Sequence, residues 1–283
     1  MNRLPIAKKV QIINCLIEGM SLRATSRLAD VSINTVTKLL LDTGKACQIF
    51  HDKTVHSLTS ERVQLDEIWS FVYSKESNVS EGKENEAGDV WTWVGIDADS
   101  KIVVSWYVGD RDALSANTIV SDIKSRLVNR ARLTKDGLKT YIDAVKNSFG
   151  KDIDFAQLKK IYESDYTKGA KKYAQRNECH YSRGDFVGVE IKRVSGNPDV
   201  KHVSTSYIER QNLTMCTHMH GFTRLTNSVS KKIENHCHAI ALHFVHYNFC
   251  KVHKTLRGTP AMQVGLTKEP ISIEDIVRLA DKY

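Results

Sequence analysis

The chain has no Cys-x-x-Cys pair among its six cysteines, Cys15, Cys47, Cys179, Cys216, Cys237 and Cys250. Scattered spacing in a chain this long argues against a disulfide framework and for reduced thiols in a cytosol. Any apolar run approaching the ~20 residues of a membrane span is missing. The N-terminus, MNRLPIAKKVQ, lacks the apolar stretch of a signal peptide. No internal repeat is visible. Together these absences predict a cytoplasmic protein with no membrane partner.

What is present is ordinary in bulk and informative in pattern. The 283 residues suffice for one large domain, or for a small module beside a catalytic-sized one. Hydrophobic residues make up 41% and charged residues 26%, as in soluble globular proteins. The net charge of +8 favours a polyanionic partner, although basic enzymes of other kinds share it.

Residues 1–45 read as a helical module. Ile6, Val10, Ile13 and Ile17 recur at helical spacing, and Gly19 ends that helix. Ser21 can cap a second helix, LRATSRLA, and Ser32 a third, INTVTKLLL. Asp30 falls where a left-handed turn residue is needed, a conformation Asp tolerates. Two short helices joined so tightly, the second led by Asn34, Thr35 and Lys38, carry a helix-turn-helix signature. A three-helix bundle used only for packing is the alternative. Residues 46–61 are expected to be a polar linker.

From residue 62 the pattern changes to strands. QLDEIWSFVY (64–73) is rich in aromatic and β-branched residues, and so are VWTWVGID (90–97) and KIVVSWYV (101–108). The turn Asp97-Ala98-Asp99-Ser100 joins the last two, predicting an antiparallel meander. A helix follows at about 115–130, then a short strand in RARLTKDG and a helix in LKTYIDAVKNSF. Residues 150–203 are less informative, with a basic stretch, YTKGAKKYAQR, and short strands near 186–194. Helices resume at about 204–218 and 226–249. This order predicts a mixed α/β fold.

Two carboxylates sit inside the opening strand, where burying an ionised group costs several kcal/mol unless compensated. Alternation puts Leu65, Glu67, Trp69 and Phe71 on one face and Asp66, Ile68, Ser70 and Val72 on the other. A regular strand therefore cannot aim both Asp66 and Glu67 into one site. Asp136 ends the later short strand, and Glu209 lies on a predicted helix with Asn212 one turn on. Taken singly, each acid reads equally as a turn former, a cap or a solvated charge.

In their order and surroundings these acids resemble a known pattern. QLDEIWSFV, WTWVGIDADSK, LTKDGLKTY, STSYIERQNLT, GFTRLTNSVSKKIENH and YNFCKVHKTLRGTPAMQVGL resemble stretches of bacterial transposases of the insertion-sequence-one type. That family is a branch of the Asp-Asp-Glu recombinases. The resemblance implies an RNase H-like catalytic domain over 62–267, with a central mixed sheet and an insertion at about 150–203; a tail helix is expected at 268–283. It assigns the catalytic and metal-binding set to Asp66, Asp136 and Glu209. It also implies two Mg²⁺ ions, for which Mn²⁺ can substitute, and DNA partners in the form of inverted-repeat ends and target DNA. Cutting two ends implies a homodimer or larger assembly, in a bacterial, nucleoid-associated setting. In MCTHMHGFTRL the family is richer in arginine, and Cys216, His220 and Gly221 stand in such places.

Further DNA contacts are expected from Arg210 beside Glu209 and from Lys231, Lys232, Lys254 and Arg257 in a basic C-terminal zone. Asn212 and Ser206 are placed to orient Glu209. Cys216-x-His218-x-His220 and Cys250-x-x-His253 have only marginal zinc spacing. Two other functions fit the same sequence: a DNA-binding regulator with a vestigial catalytic domain, and a metal nuclease without strand transfer.

Overall fold

The computed structural model describes residues 4–83, 86–162, 186–222 and 229–283. The basic stretch YTKGAKKYAQR and Cys179 lie outside them. Three helices open the chain: α1 (Ile6–Ile17), α2 (Leu22–Ala29) and α3 (Ile33–Thr54). Ser21 Oγ accepts from the Ala24 N–H and Ser32 Oγ from the Thr35 N–H, each satisfying a donor that a first turn leaves free. Asp30 ends α2 in the left-handed region at φ 48°, ψ 54°.

The expected linker at 46–61 is largely helix, because α3 runs on to Thr54. Its polar residues mislead. Ala46 and Cys47 are buried, while Arg126 binds the outward Asp52 at 2.7 Å. His51, also buried, lies 3.2 Å from the Val103 carbonyl. Val55 and Leu58 then enter the core, so the segment is a packed joint.

Six strands among the described residues form one mixed sheet. They are β1 (Arg62–Val72), β2 (Gly88–Asp97), β3 (Val103–Gly109), β4 (Arg132–Lys135), β5 (Asp154–Tyr162) and β6 (Phe186–Ser195). The spatial order is β3-β2-β1-β4-β5-β6. The first three strands make the expected antiparallel meander, and β1, β4 and β5 run parallel. Strands and helices thus form the mixed α/β fold expected from the sequence. β5 falls inside the span expected to be an insertion, yet it is an interior strand of the sheet, between β4 and β6, with Phe155 and Ala156 wholly buried.

Helices cover both faces of the sheet. α4 (Ala113–Arg126) and α5 (Thr140–Phe149) pack together on the side where Leu65 and Trp93 enter the larger core. α6 (Ser206–His218) and α7 (Ile233–Val245) lie on the other side, where Ile68, Val94 and Ile96 meet Ile208, Met215, Ile240 and Phe244. α7 is shorter than the expected 226–249. Ser230 accepts from the Tyr73 N–H in an extended lead-in, and residues 246–250 continue α7 as a π turn. The short α8 (Pro260–Gln263) precedes α9 (Ile273–Lys282), which Ser272 and Asp275 cap reciprocally. α9 is no loose tail, since Ile276 and Val277 are buried and it packs on α1 and α3. No helix of the described residues is long and apolar enough to cross a membrane.

One mismatch of lengths positions the site. β4 has four residues and pairs with Arg62–Leu65 of β1 and Asp154–Gln157 of β5. Both neighbours continue well past it. The sheet therefore has a notch beyond Lys135, at the carboxyl end of a parallel strand, where open α/β sheets commonly bind ligands.

Candidate active site

A hollow of about 840 Å³ fills the notch. Asp66, Asp136 and Glu209 all line it, from β1, from the end of β4 and from the first turn of α6. Chain segments far apart in sequence thus bring the three acids to one place. Their spacing is uneven: one carboxylate oxygen each from Asp66, Glu67 and Asp136 lie within 4.8 Å of one another. That tight group does not include Glu209.

Glu67 corrects the expectation from strand alternation. It does leave β1 on the face opposite Asp66, and Arg111 holds its Oε1 at 2.7 Å. But the β1–β4 ladder ends at Leu65, so Lys135 at the tip of β4 reaches both faces of β1. Lys135 Nζ lies 3.1 Å from Asp66 Oδ1, 2.6 Å from Glu67 Oε2 and 2.5 Å from Asp136 Oδ1. The first answer to the buried acids is thus an ammonium group.

Burial pulls the Lys135 amine toward neutrality, but Asp66, Glu67 and Asp136 more than reverse this and hold its pKa above the ordinary lysine value. Burial raises the Asp66 pKa. Lys135 opposes that rise, Glu67 and Asp136 add to it, and the outcome lies above the usual carboxylate value. The Tyr141 hydroxyl is pushed well up by burial and then by the same three carboxylates.

α6 is tied to β1 by Gln64, whose Oε1 accepts from the free N–H groups of Tyr207 and Ile208, each at 3.0 Å. This sets Glu209 at the rim, where Thr205 Oγ1 donates to it at 2.6 Å and Lys160 pairs with it at 2.5 Å. Asn212 does not orient Glu209 as expected; its Nδ2 donates to Asp66 Oδ2 at 2.8 Å. Ser206 instead accepts from Ser204.

Of the expected DNA contacts, Asn34 and Lys38 are exposed on α3, with Lys38 paired to Asp42 at 3.3 Å. Thr35 is half-buried and engaged with the Ser32 cap. Arg210, Lys231, Lys232, Lys254 and Arg257 are exposed, and none of these eight residues lines the hollow. The cations that do are Arg111, Lys159 and Lys160. Lys135 left one signal in the sequence. It shares strand parity with the buried Leu133, and a lysine on a core-facing position requires a partner. Arg111 and Lys160 reach the site through tertiary contacts that no local spacing announces.

The donor set fits a hard divalent cation, being carboxylate oxygen throughout. Asn212 Oδ1 adds a buried oxygen with no hydrogen-bond partner among the described residues, next to Asp66. Among those residues the converging group of possible ligands is this acidic one, with no His or Cys member.

No family model matches the chain, and neither does any curated protein. Solved structures do. The Mos1 transposase paired-end complex with left transposon end is 13% identical over 52% of this chain and 57% of that one, with a TM-score of 0.21. The Mos1 mariner paired end complex with Mn has the same identity and coverage and a TM-score of 0.20. The piggyBac transposase synaptic complex with hairpin DNA is 9% identical over 97% of this chain and 69% of that one, with a TM-score of 0.45. In these two matches to Mos1 this chain spans less than two thirds of the Mos1 chain. Such partial likenesses leave the site to stand on its own geometry.

Proposed function

We propose that this protein is a DNA transposase of the Asp-Asp-Glu kind, of the insertion-sequence-one type that its motifs resemble. One observation carries the reading: Asp66, Asp136 and Glu209, from three separate elements, line a single hollow at the end of a parallel strand. In this role Asp66 and Asp136 supply oxygen ligands from neighbouring strands, and Glu209 supplies its own from the rim. Mg²⁺ at this site, as one ion or two, or Mn²⁺ in its place, would activate an attacking hydroxyl and stabilise the leaving oxygen at phosphorus. Asn212 fixes the orientation of Asp66. Lys159, Lys160 and Arg111 face the approaching phosphates. The exposed leading residues of α3, Asn34 and Lys38, together with Arg210, Lys231, Lys232, Lys254 and Arg257, hold the inverted-repeat ends and target DNA. Two or more subunits act on paired ends.

The test uses the purified full chain, Mg²⁺ or Mn²⁺, and a plasmid carrying the DNA that flanks its gene. Nicking and joined products are expected, and both disappear in Asp66→Asn and Asp136→Asn. Cleavage that survives both substitutions would overturn the assignment. A second reading, a DNA-binding regulator with an idle catalytic domain, is favoured by Lys135 sitting among the acids. DNA binding with no metal-dependent nicking would establish it instead.

A further inference from the structure

Lys135 is wholly buried, and its ammonium touches the three carboxylates whose oxygens converge. A divalent ion held by Asp66 and Asp136 needs the oxygen charge that Lys135 already uses. We propose that Lys135 is an exchangeable internal counter-ion: it keeps Asp66, Glu67 and Asp136 together in the metal-free chain and lets go of them when a divalent cation binds. This rests on the reading that Asp66 and Asp136 hold such an ion.

Two features of the surroundings support exchange over a fixed structural ion pair. The acids are not sealed in with the lysine. The side chains of Asp66 and Asp136 are 21% and 51% exposed to the hollow while Lys135 is 0% exposed, so a cation arriving from solvent meets the carboxylates first. The lysine also has a partner besides the acids. Its Nζ is 5.0 Å from the centre of the Tyr141 ring, whose buried hydroxyl has no hydrogen-bond partner among the described residues. An ammonium released from the acids can settle against that ring face and hydroxyl. The consequence is competition. The wild-type chain binds divalent ions more weakly than its donor set alone would allow.

The experiment titrates Mn²⁺ into the purified full chain, followed by calorimetry and by the thermal midpoint, for wild type, Lys135→Met, Lys135→Gln and Asp66→Asn. Expected are binding at least tenfold tighter in the Lys135 variants and loss of binding in Asp66→Asn. In chelator the Lys135 variants melt below wild type, and Mn²⁺ raises their midpoint by more than it raises that of wild type, because the metal replaces the missing cation. Should Lys135→Met fail to fold, Lys135→Gln provides the same comparison with a side chain that can still hydrogen-bond the acids. Equal or weaker Mn²⁺ binding in the Lys135 variants, or variants that no Mn²⁺ concentration stabilises, overturns the counter-ion role while leaving wild-type metal binding in place. Absence of Mn²⁺ binding in every chain, wild type included, overturns the metal reading itself and this inference with it.

Discussion

Lys135 and Lys160 face carboxylates across the same notch in opposite settings. Lys135 is buried among three acids, whereas Lys160 meets Glu209 at the rim with 31% of its side chain exposed and 43% of its partner's. Water already solvates the rim pair, so its net contribution is small. In the notch, loss of the ammonium would leave Glu67 with Arg111 and Asp66 with Asn212 as remaining partners, so more of the desolvation cost would go uncompensated there. The histidines of α7 make a third case. Buried with no carboxylate acting on them among the described residues, His236 and His243 take the neutral form, where Lys135 remains charged. Burial thus decides how much an ionisable group matters, and the neighbours decide which form it takes.

The largest expected effect tests that contrast directly. In chelator, Lys135→Met should cost roughly 3–5 kcal/mol in urea unfolding, the range for breaking a buried ion pair. Lys160→Met should cost no more than about 1 kcal/mol. Equal costs would erase the distinction between the two sides of the notch.

Next, Asn212→Ala removes the hydrogen bond to Asp66 and leaves Glu209 untouched. Metal-dependent nicking should fall roughly 10- to 100-fold, as for other groups that orient ligands. Ser206→Ala, expected from sequence to be its equivalent, should have little effect.

A pH series sharpens the comparison with the histidines. Burial lowers the folded-state pKa to about 4 in His236 and about 3 in His243, where the charges of His246, His218 and Lys251 add to it. In His246 burial, followed by Lys251, His218 and His253, brings it to about 4. The unfolded chain titrates near 6.5, so below that pH it takes up protons that the folded chain refuses. Stability is therefore complete above about pH 6.5 and falls as pH drops toward about 4. A thermal midpoint several degrees lower at pH 5 than at pH 7.5 is expected, with a smaller drop in His243→Leu. A flat profile would mean that these imidazoles are not buried in neutral form.

The smallest effect lies in the helical module. Ser32→Ala removes the cap of α3 and should cost about 1 kcal/mol by thermal or urea unfolding. A loss comparable to that of Lys135→Met would show that the module's start matters as much as the notch.

These regions also differ in how readily sequence revealed them. The starts of α2 and α3 and the turn at Asp30 were legible because caps and left-handed turns are set by residues only a few positions apart. Strands β1 to β3 were legible through alternation and a short turn. The linker expectation failed at α3 because Ala46, Cys47, Phe50 and His51 face the core from a stretch in which Gln48, Asp52, Lys53 and Thr54 are polar. β5 was passed over for a related reason: lysines and a glutamine dilute a strand whose interior place comes from pairing with β4 and β6. Parity placed Glu67 on the face opposite Asp66, where it lies, but could not show that Lys135, at the end of the β1–β4 ladder, reaches both faces.

By itself the sequence determined the local elements and nominated three acids. Both depend on the chemistry of individual residues and their immediate spacing. Only the tertiary structure decided that β4 stops short, that a lysine fills the gap among the acids, and that Asn212 answers to Asp66. Those outcomes follow from which segments lie side by side, and polar interactions in a partly buried notch reach across 69 or 146 residues of chain as easily as across one.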